Sequence, residues 1–108
     1  YRQTLEELKE ISDKNIRKIH IIGGGSQNEL LCQFTSNATG VPVIAGPAEG
    51  TALGNIMVQA MAKGRIESLT EIRHIIRNSF EFREYAPENT TEWDKNYSRF
   101  LDVCNRIP

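Results

Sequence analysis

Lys18-Ile19-His20-Ile21-Ile22-Gly23-Gly24-Gly25-Ser26-Gln27-Asn28 is the stretch on which the fold turns. The apolar, β-branched run ending at Ile22 and stopped by three glycines predicts a short buried strand. Beyond Asn28, Leu30, Leu31, Phe34 and Ala38 fall on one helical face, and Gly40 stands where a helix ends. The local pattern is strand, glycine turn, helix. Val41-Pro42-Val43-Ile44-Ala45 follows as a second apolar strand. Pro42 belongs among its first residues, because proline cannot donate into a ladder. Residues 18–45 therefore read as a βαβ-type unit with parallel strands.

Helices flank this unit on both sides. Leu5, Leu8 and Ile11 are spaced to make the apolar stripe of a helix over residues 4–12 that covers a sheet. Residues 46–55 read as a loop entering a further helix, whose stripe is Leu53, Ile56, Met57, Ala60 and Met61 and whose stop is Gly64. Ser68-Leu69-Thr70-Glu71 has the form of a capping box opening a helix to about Asn78. Residues 80–89 read as an extended, proline-containing tail. Asn89-Thr90-Thr91-Glu92 reads as a second capping start, for a last helix with Trp93, Tyr97, Phe100 or Leu101, and Cys104 on one side.

The chain has 108 residues, room for one small domain or part of a larger one. Two strands among four or five helices are too few for a covered parallel sheet, so a part of something larger is expected. Thirteen basic against fourteen acidic residues leave a net charge of -1. That balance argues against nucleic acid and anionic membranes as partners, both of which select basic surfaces. A mean hydropathy of -0.44 argues against a membrane-spanning chain. Cys32 and Cys104 are far apart and have no metal-type spacing. They are expected to be reduced thiols of a cytoplasmic protein, serving as small core hydrophobes.

Chemistry concentrates at the glycine turn. Glycines lack the Cβ that would hold a ligand off the backbone, and the unpaired N–H groups of a first helical turn carry the positive end of the helix dipole. A turn at the C-terminal end of a parallel strand is also where open α/β sheets bind ligands. A tight connection that binds nothing is the alternative. No lysine follows the glycines, which excludes a P-loop. The dinucleotide fingerprint is incomplete: Gly23 and Gly25 supply its first pair and Glu49 its acidic residue, but Asn28 occupies the third glycine position.

The segments Ile19 to Asn28, Leu31-Cys32-Gln33-Phe34, and Gly46-Pro47-Ala48-Glu49-Gly50-Thr51-Ala52-Leu53-Gly54-Asn55 together resemble the C-terminal domain of FGGY-family carbohydrate kinases. The likeness is specific from about Leu5 to Gly64 and looser beyond. Within the family, the branch acting on L-rhamnulose is the most similar. The resemblance implies an α/β chain, residues 1–108 forming the C-terminal part of the second, nucleotide-binding domain of an actin-like, ribonuclease-H-like ATPase, with no complete second domain. It implies ATP as co-substrate and transfer of a phosphoryl group to a ketose, L-rhamnulose at its C1 hydroxyl. The Mg²⁺, the sugar site and the catalytic base would be held by the remainder of the kinase chain, so the 108 residues alone would be inactive. Carried over, Gly24 and Gly25 would lie against adenosine and the α-phosphate, Asn28 would bond the adenine edge, and Gly23 and Ser26 would shape the turn. The segment from Glu49 to Asn55 would support that turn from behind.

Two alternatives stand beside this reading: a dinucleotide module binding NAD with Glu49 on the ribose, and a non-catalytic packing domain. His20, between isoleucines, is expected to be hydrogen-bonded or partly covered. Arg65, Arg73, Arg77 and Arg83 read as a solvated face, and Trp93, Tyr97 and Phe100 as packing.

Overall fold

The computed structural model describes residues 1–107. Helix α1 spans Arg2–Ser12 and strand β1 spans Ile19–Ile21. A 3-10 turn at Gly24–Gln27 leads into helix α2, Glu29–Thr39, then strand β2, Val43–Ala45. Helices α3, Gly50–Ala62, and α4, Leu69–Ser79, precede strand β3, Arg83–Tyr85, and helix α5, Thr90–Cys104. The expected strand-turn-helix-strand order is present. Parallel pairing of β1 with β2 sets Ile19 opposite Val43 and Ile21 opposite Ala45, and Pro42 falls just before its strand, where its carbonyl accepts from Ile19 N–H at 2.9 Å.

The tail expected at residues 80–89 contains a strand. β3 pairs antiparallel with β2, Tyr85 opposite Val43 and Arg83 opposite Ala45, giving the sheet order β1-β2-β3. Arg-Glu-Tyr lacks the apolar alternation that marks a strand in sequence. Its pairing is fixed instead by the neighbouring strand and by α2, to which it also bonds.

Alternation gives the sheet two faces. Ile19, Ile21, Val43, Ala45 and Tyr85 turn toward α2, where Cys32 and Val43 are fully buried. The face of α2 that meets them is Cys32, Thr35 and Ser36, rather than the apolar stripe of Leu30, Leu31, Phe34 and Ala38. The small hydroxyl residues approach the sheet because their polar atoms are satisfied there: Thr35 Oγ1 donates back to the Leu31 carbonyl at 2.7 Å, and Ser36 Oγ reaches the Val41 carbonyl at 3.0 Å. Phe34 turns outward to Trp93 of α5, ring centroids 5.1 Å apart, while Leu30 is exposed.

Several expected burials do not form within residues 1–107. Leu5 is buried, but Leu8 and Ile11 on the same stripe are exposed. α3 begins at Gly50, earlier than the loop reading placed it, and buries none of its residues; Ile56 keeps 59% of its surface. Cys104 is exposed, whereas Cys32 matches the expected core role. Ser68 caps α4 as expected, accepting from Glu71 N–H at 3.1 Å. Asn89 does not cap α5 through its side chain, because its own backbone is left-handed, with φ 50°. His20 lies in the middle of β1 on the face away from α2 and is exposed.

The accessible surface is 8258 Å², against roughly 6,100 Å² for a compact protein of this mass. The radius of gyration, 17.4 Å, likewise exceeds the roughly 13 Å of a compact chain of this length. The described residues form an elongated body, 56 by 28 by 25 Å, and α1, α3 and α5 all leave apolar residues exposed.

Candidate nucleotide-binding turn

β1 and β2 are parallel, so both deliver their following loops to the same end of the sheet. The two loops are stitched together there. Gly46 N–H donates to the Ile21 carbonyl at 2.8 Å, and Gly23 N–H to the Pro47 carbonyl at 3.1 Å. Two glycines at this end are dictated by the backbone. Gly23 has φ 77°, a conformation costly for any residue with a Cβ. Gly46 has φ 115°, and a Cβ there would stand 3.1 Å from the Glu81 carbonyl oxygen.

The turn is held from within. The Gly23 carbonyl accepts from Ser26 N–H at 3.0 Å and from Ser26 Oγ at 2.7 Å, so the buried serine closes the loop on itself. The fully buried Cys32 thiol lies 3.6 Å from the Gly25 carbonyl and 3.9 Å from that of Ser26. Burial, followed by the charge of Glu29, pushes that thiol's pKa upward, which keeps it a neutral donor facing two carbonyls. This role of Cys32 as a pin on the turn is not legible in the sequence; the only signal is a cysteine seven residues beyond Gly25.

Gly24 and Gly25 are different from Gly23. A Cβ on Gly25 would only touch Ile21 Cγ2 at 3.6 Å, and a Cβ on Gly24 would meet nothing within 4 Å. The chain's own packing does not require glycine at position 24. What glycine leaves there is bare backbone facing open space at the mouth of the turn.

Asn28 ends the turn and starts α2. Its Oδ1 accepts from Leu31 N–H at 3.0 Å, a side-chain N-cap that satisfies one of the helix's unpaired donors. This capping role uses the carbonyl end of the amide. The second motif adjoins the turn as expected: a Cβ on Gly50 would stand 3.4 Å from Ile22, so the start of α3 packs on the end of β1. Glu49 occupies the N-cap position of α3 but makes no side-chain cap bond, and it is exposed.

Asp13 and Asp94 lie away from this end. Asp94 is engaged by Arg2 at 2.6 Å, and Asp13 ends α1. Among the described residues, no group of three or more His, Cys, Asp or Glu side chains is placed to hold a metal ion. Arg73 and Arg77 line a cleft of about 750 Å³ with Lys18 on the sheet face away from α2; Arg83 borders that cleft but its guanidinium turns to Glu29 of α2, and Arg65 is not among the lining residues.

A parallel strand pair, a glycine turn with bare backbone, and a capped helix start define a small α/β unit. The family comparison gives that unit its place. The C-terminal domain of the FGGY family of carbohydrate kinases matches residues 1–63, and the chain belongs to that family. It is 47% identical over 100 residues to a rhamnulokinase of Bacteroides thetaiotaomicron, covering 93% of this chain and 21% of that protein. A rhamnulokinase of Pectobacterium carotovorum is 40% identical over 93% of this chain and 20% of its own length. One from Bacillus subtilis is 39% identical over 82% of this chain and 18% of its own length. The chain thus spans about a fifth of the length of the curated relatives it matches. No helix among the described residues is long and apolar enough to cross a membrane.

Proposed function

We propose that residues 1–108 are the C-terminal part of the nucleotide-binding domain of an ATP-dependent ketose kinase, and that the turn from Gly23 to Asn28 holds adenosine. The whole protein would transfer the γ-phosphoryl group of ATP to the C1 hydroxyl of L-rhamnulose. Family membership supports the kinase class, and the relatives' names support the sugar. The observation that carries the site is Gly24: no atom of residues 1–107 lies within 4 Å of the position its Cβ would take, so the main chain at the mouth of the turn is open to a ligand.

On this reading Gly24 and Gly25 let adenosine and the α-phosphate approach the main chain. Ser26 and Cys32 hold the turn rigid, which lowers the ordering cost of binding. The Asn28 amide nitrogen is directed to the adenine edge while its oxygen caps α2. Mg²⁺, when bound, neutralises phosphate charge, and the rest of the polypeptide supplies its ligands, the sugar site and the base that accepts the hydroxyl proton.

The deciding variant is Gly24→Val in the intact protein. It should fold normally, because the added atoms point into open space, and lose ATP affinity by at least about tenfold as those atoms fill the ligand's place. Binding of L-rhamnulose should be retained. Unchanged ATP affinity in the folded variant, or protection against unfolding by NAD but not ATP, would overturn the assignment.

A further inference from the structure

Residues 83–93 lie beyond the stretch that the family's domain matches, and they run along α2. Gln33 Nε2 donates to the Ala86 carbonyl at 2.8 Å, and Glu88 N–H donates to Asn37 Oδ1 at 2.8 Å. At the head of the helix, Arg83 of β3 forms an ion pair with Glu29. Glu29 is the first residue of α2 and follows Asn28 directly.

A carboxylate at a helix N-terminus occupies the positive end of the dipole. This is the end that the turn offers to an anionic nucleotide. Unpaired, Glu29 would oppose the charge of ATP. Both partners keep more than half of their side-chain surface exposed, and exposed pairs of this kind contribute little to stability. The pair's position, rather than its strength, is what gives it an effect. We infer that Arg83, reaching α2 from the C-terminal strand, is a positioning residue for ATP that sets nucleotide affinity by cancelling the charge of Glu29. The inference rests on the adenosine-site reading above.

The test uses the intact protein, with ATP and adenosine titrated calorimetrically at low ionic strength. Arg83→Gln should weaken ATP binding about fourfold, the size expected for one unit charge acting on two phosphate charges over roughly 10 Å in weakly screened water. Adenosine, which carries no phosphate charge, should bind as before. Glu29→Gln should tighten ATP binding, while Arg83→Lys and the double variant Glu29→Gln/Arg83→Gln should stay near the parent. High salt should erase the differences. An unchanged ATP affinity in Arg83→Gln, or equal weakening of ATP and adenosine, would overturn the inference. Gly24→Val measured alongside separates the two levels: if it leaves ATP binding intact the site reading fails, and if it abolishes binding while Arg83→Gln does nothing, only the role of Arg83 fails.

Discussion

The buried hydroxyl of Ser36 on α2 lies 2.9 Å from the carbonyl oxygen of Tyr85 on β3, tying the helix that follows the glycine turn to a strand 49 residues further along. The same hydroxyl also reaches the Val41 carbonyl at 3.0 Å. One side chain therefore serves two main-chain acceptors inside the core. The hydroxyl has one proton, which the two acceptors share; Ser36→Ala would remove that single donor, and the cost should be about 1–2 kcal/mol. A urea titration of the intact protein should show the midpoint lowered with an unchanged slope; an unaltered midpoint would mean that another donor replaces the hydroxyl.

Asn28 is assigned two roles, and they can be separated. Asn28→Ala removes both the cap on Leu31 N–H and the amide directed at adenine. Asn28→Ser retains a good capping group but is too short to reach the base. The alanine variant should lose roughly 1 kcal/mol of stability, while the serine variant should be nearly as stable as the parent. Both should lose ATP affinity by the equivalent of about 1–2 kcal/mol and discriminate less between ATP and GTP. Serine binding ATP as tightly as the parent would reduce Asn28 to a cap.

Acid should loosen α5. Burial would raise the pKa of Glu6, but hydrogen bonds from Arg2 and Tyr97 and the nearby charge of Arg2 outweigh it and hold the carboxyl below its ordinary range. Tyr97 Oη donates to Glu6 Oε2 at 2.9 Å, and Arg2 bridges Glu6 to Asp94 of α5. A carboxyl held low in the folded chain stabilises it at pH above the ordinary value, and that contribution is lost as pH falls through the lowered one. Trp93, the single tryptophan, packs on Phe34 and reports α5 directly. Its emission should shift to the red as pH drops below about 4. Glu6→Gln should shrink that step, and an identical acid transition in the variant would show that Glu6 does not hold the helix.

The parallel pair, the turn and α2 were legible because strand period, glycine stops and apolar runs all point the same way between Lys18 and Ala45. β3 was not legible, since Arg83, Glu84 and Tyr85 become a strand only through pairing with β2. Which face of α2 turns inward is hidden in sequence for a related reason. Its apolar stripe and its Cys32, Thr35 and Ser36 stripe have the same helical spacing, and only tertiary packing shows that the hydroxyl face meets the sheet while Phe34 meets Trp93. The glycines of the turn were visible in sequence, but not the difference between them: Gly23 is required by its backbone and Gly24 is not. Nor could the sequence show that Arg83 meets Glu29, because nothing local relates residues 54 apart.

The last expectation concerns residues 1–108 produced by themselves. β1 is an edge strand in the order β1-β2-β3, so one side of its backbone is unpaired, and Ile22 beside it is exposed. On α3, Ile56 and Val58 keep 59% and 52% of their surface. Scattered exposed apolar residues are normal on a monomer, but an open edge next to an uncovered helix is a template for association. Relative to a compact chain of this mass, the excess accessible surface is roughly 2,000 Å², comparable to the total surface buried in a standard protein interface. The isolated chain should therefore form oligomers or aggregates at micromolar concentration, with no turnover of ATP and L-rhamnulose. Light scattering tests the first statement and a coupled kinase assay the second. Replacing Ile56 and Val58 with glutamate should reduce the scattering without restoring activity, since it removes apolar surface but supplies no base or metal ligand. A monodisperse monomer that melts cooperatively would show that α3 and the β1 edge need no cover, and measurable turnover would place the catalytic base within these 108 residues.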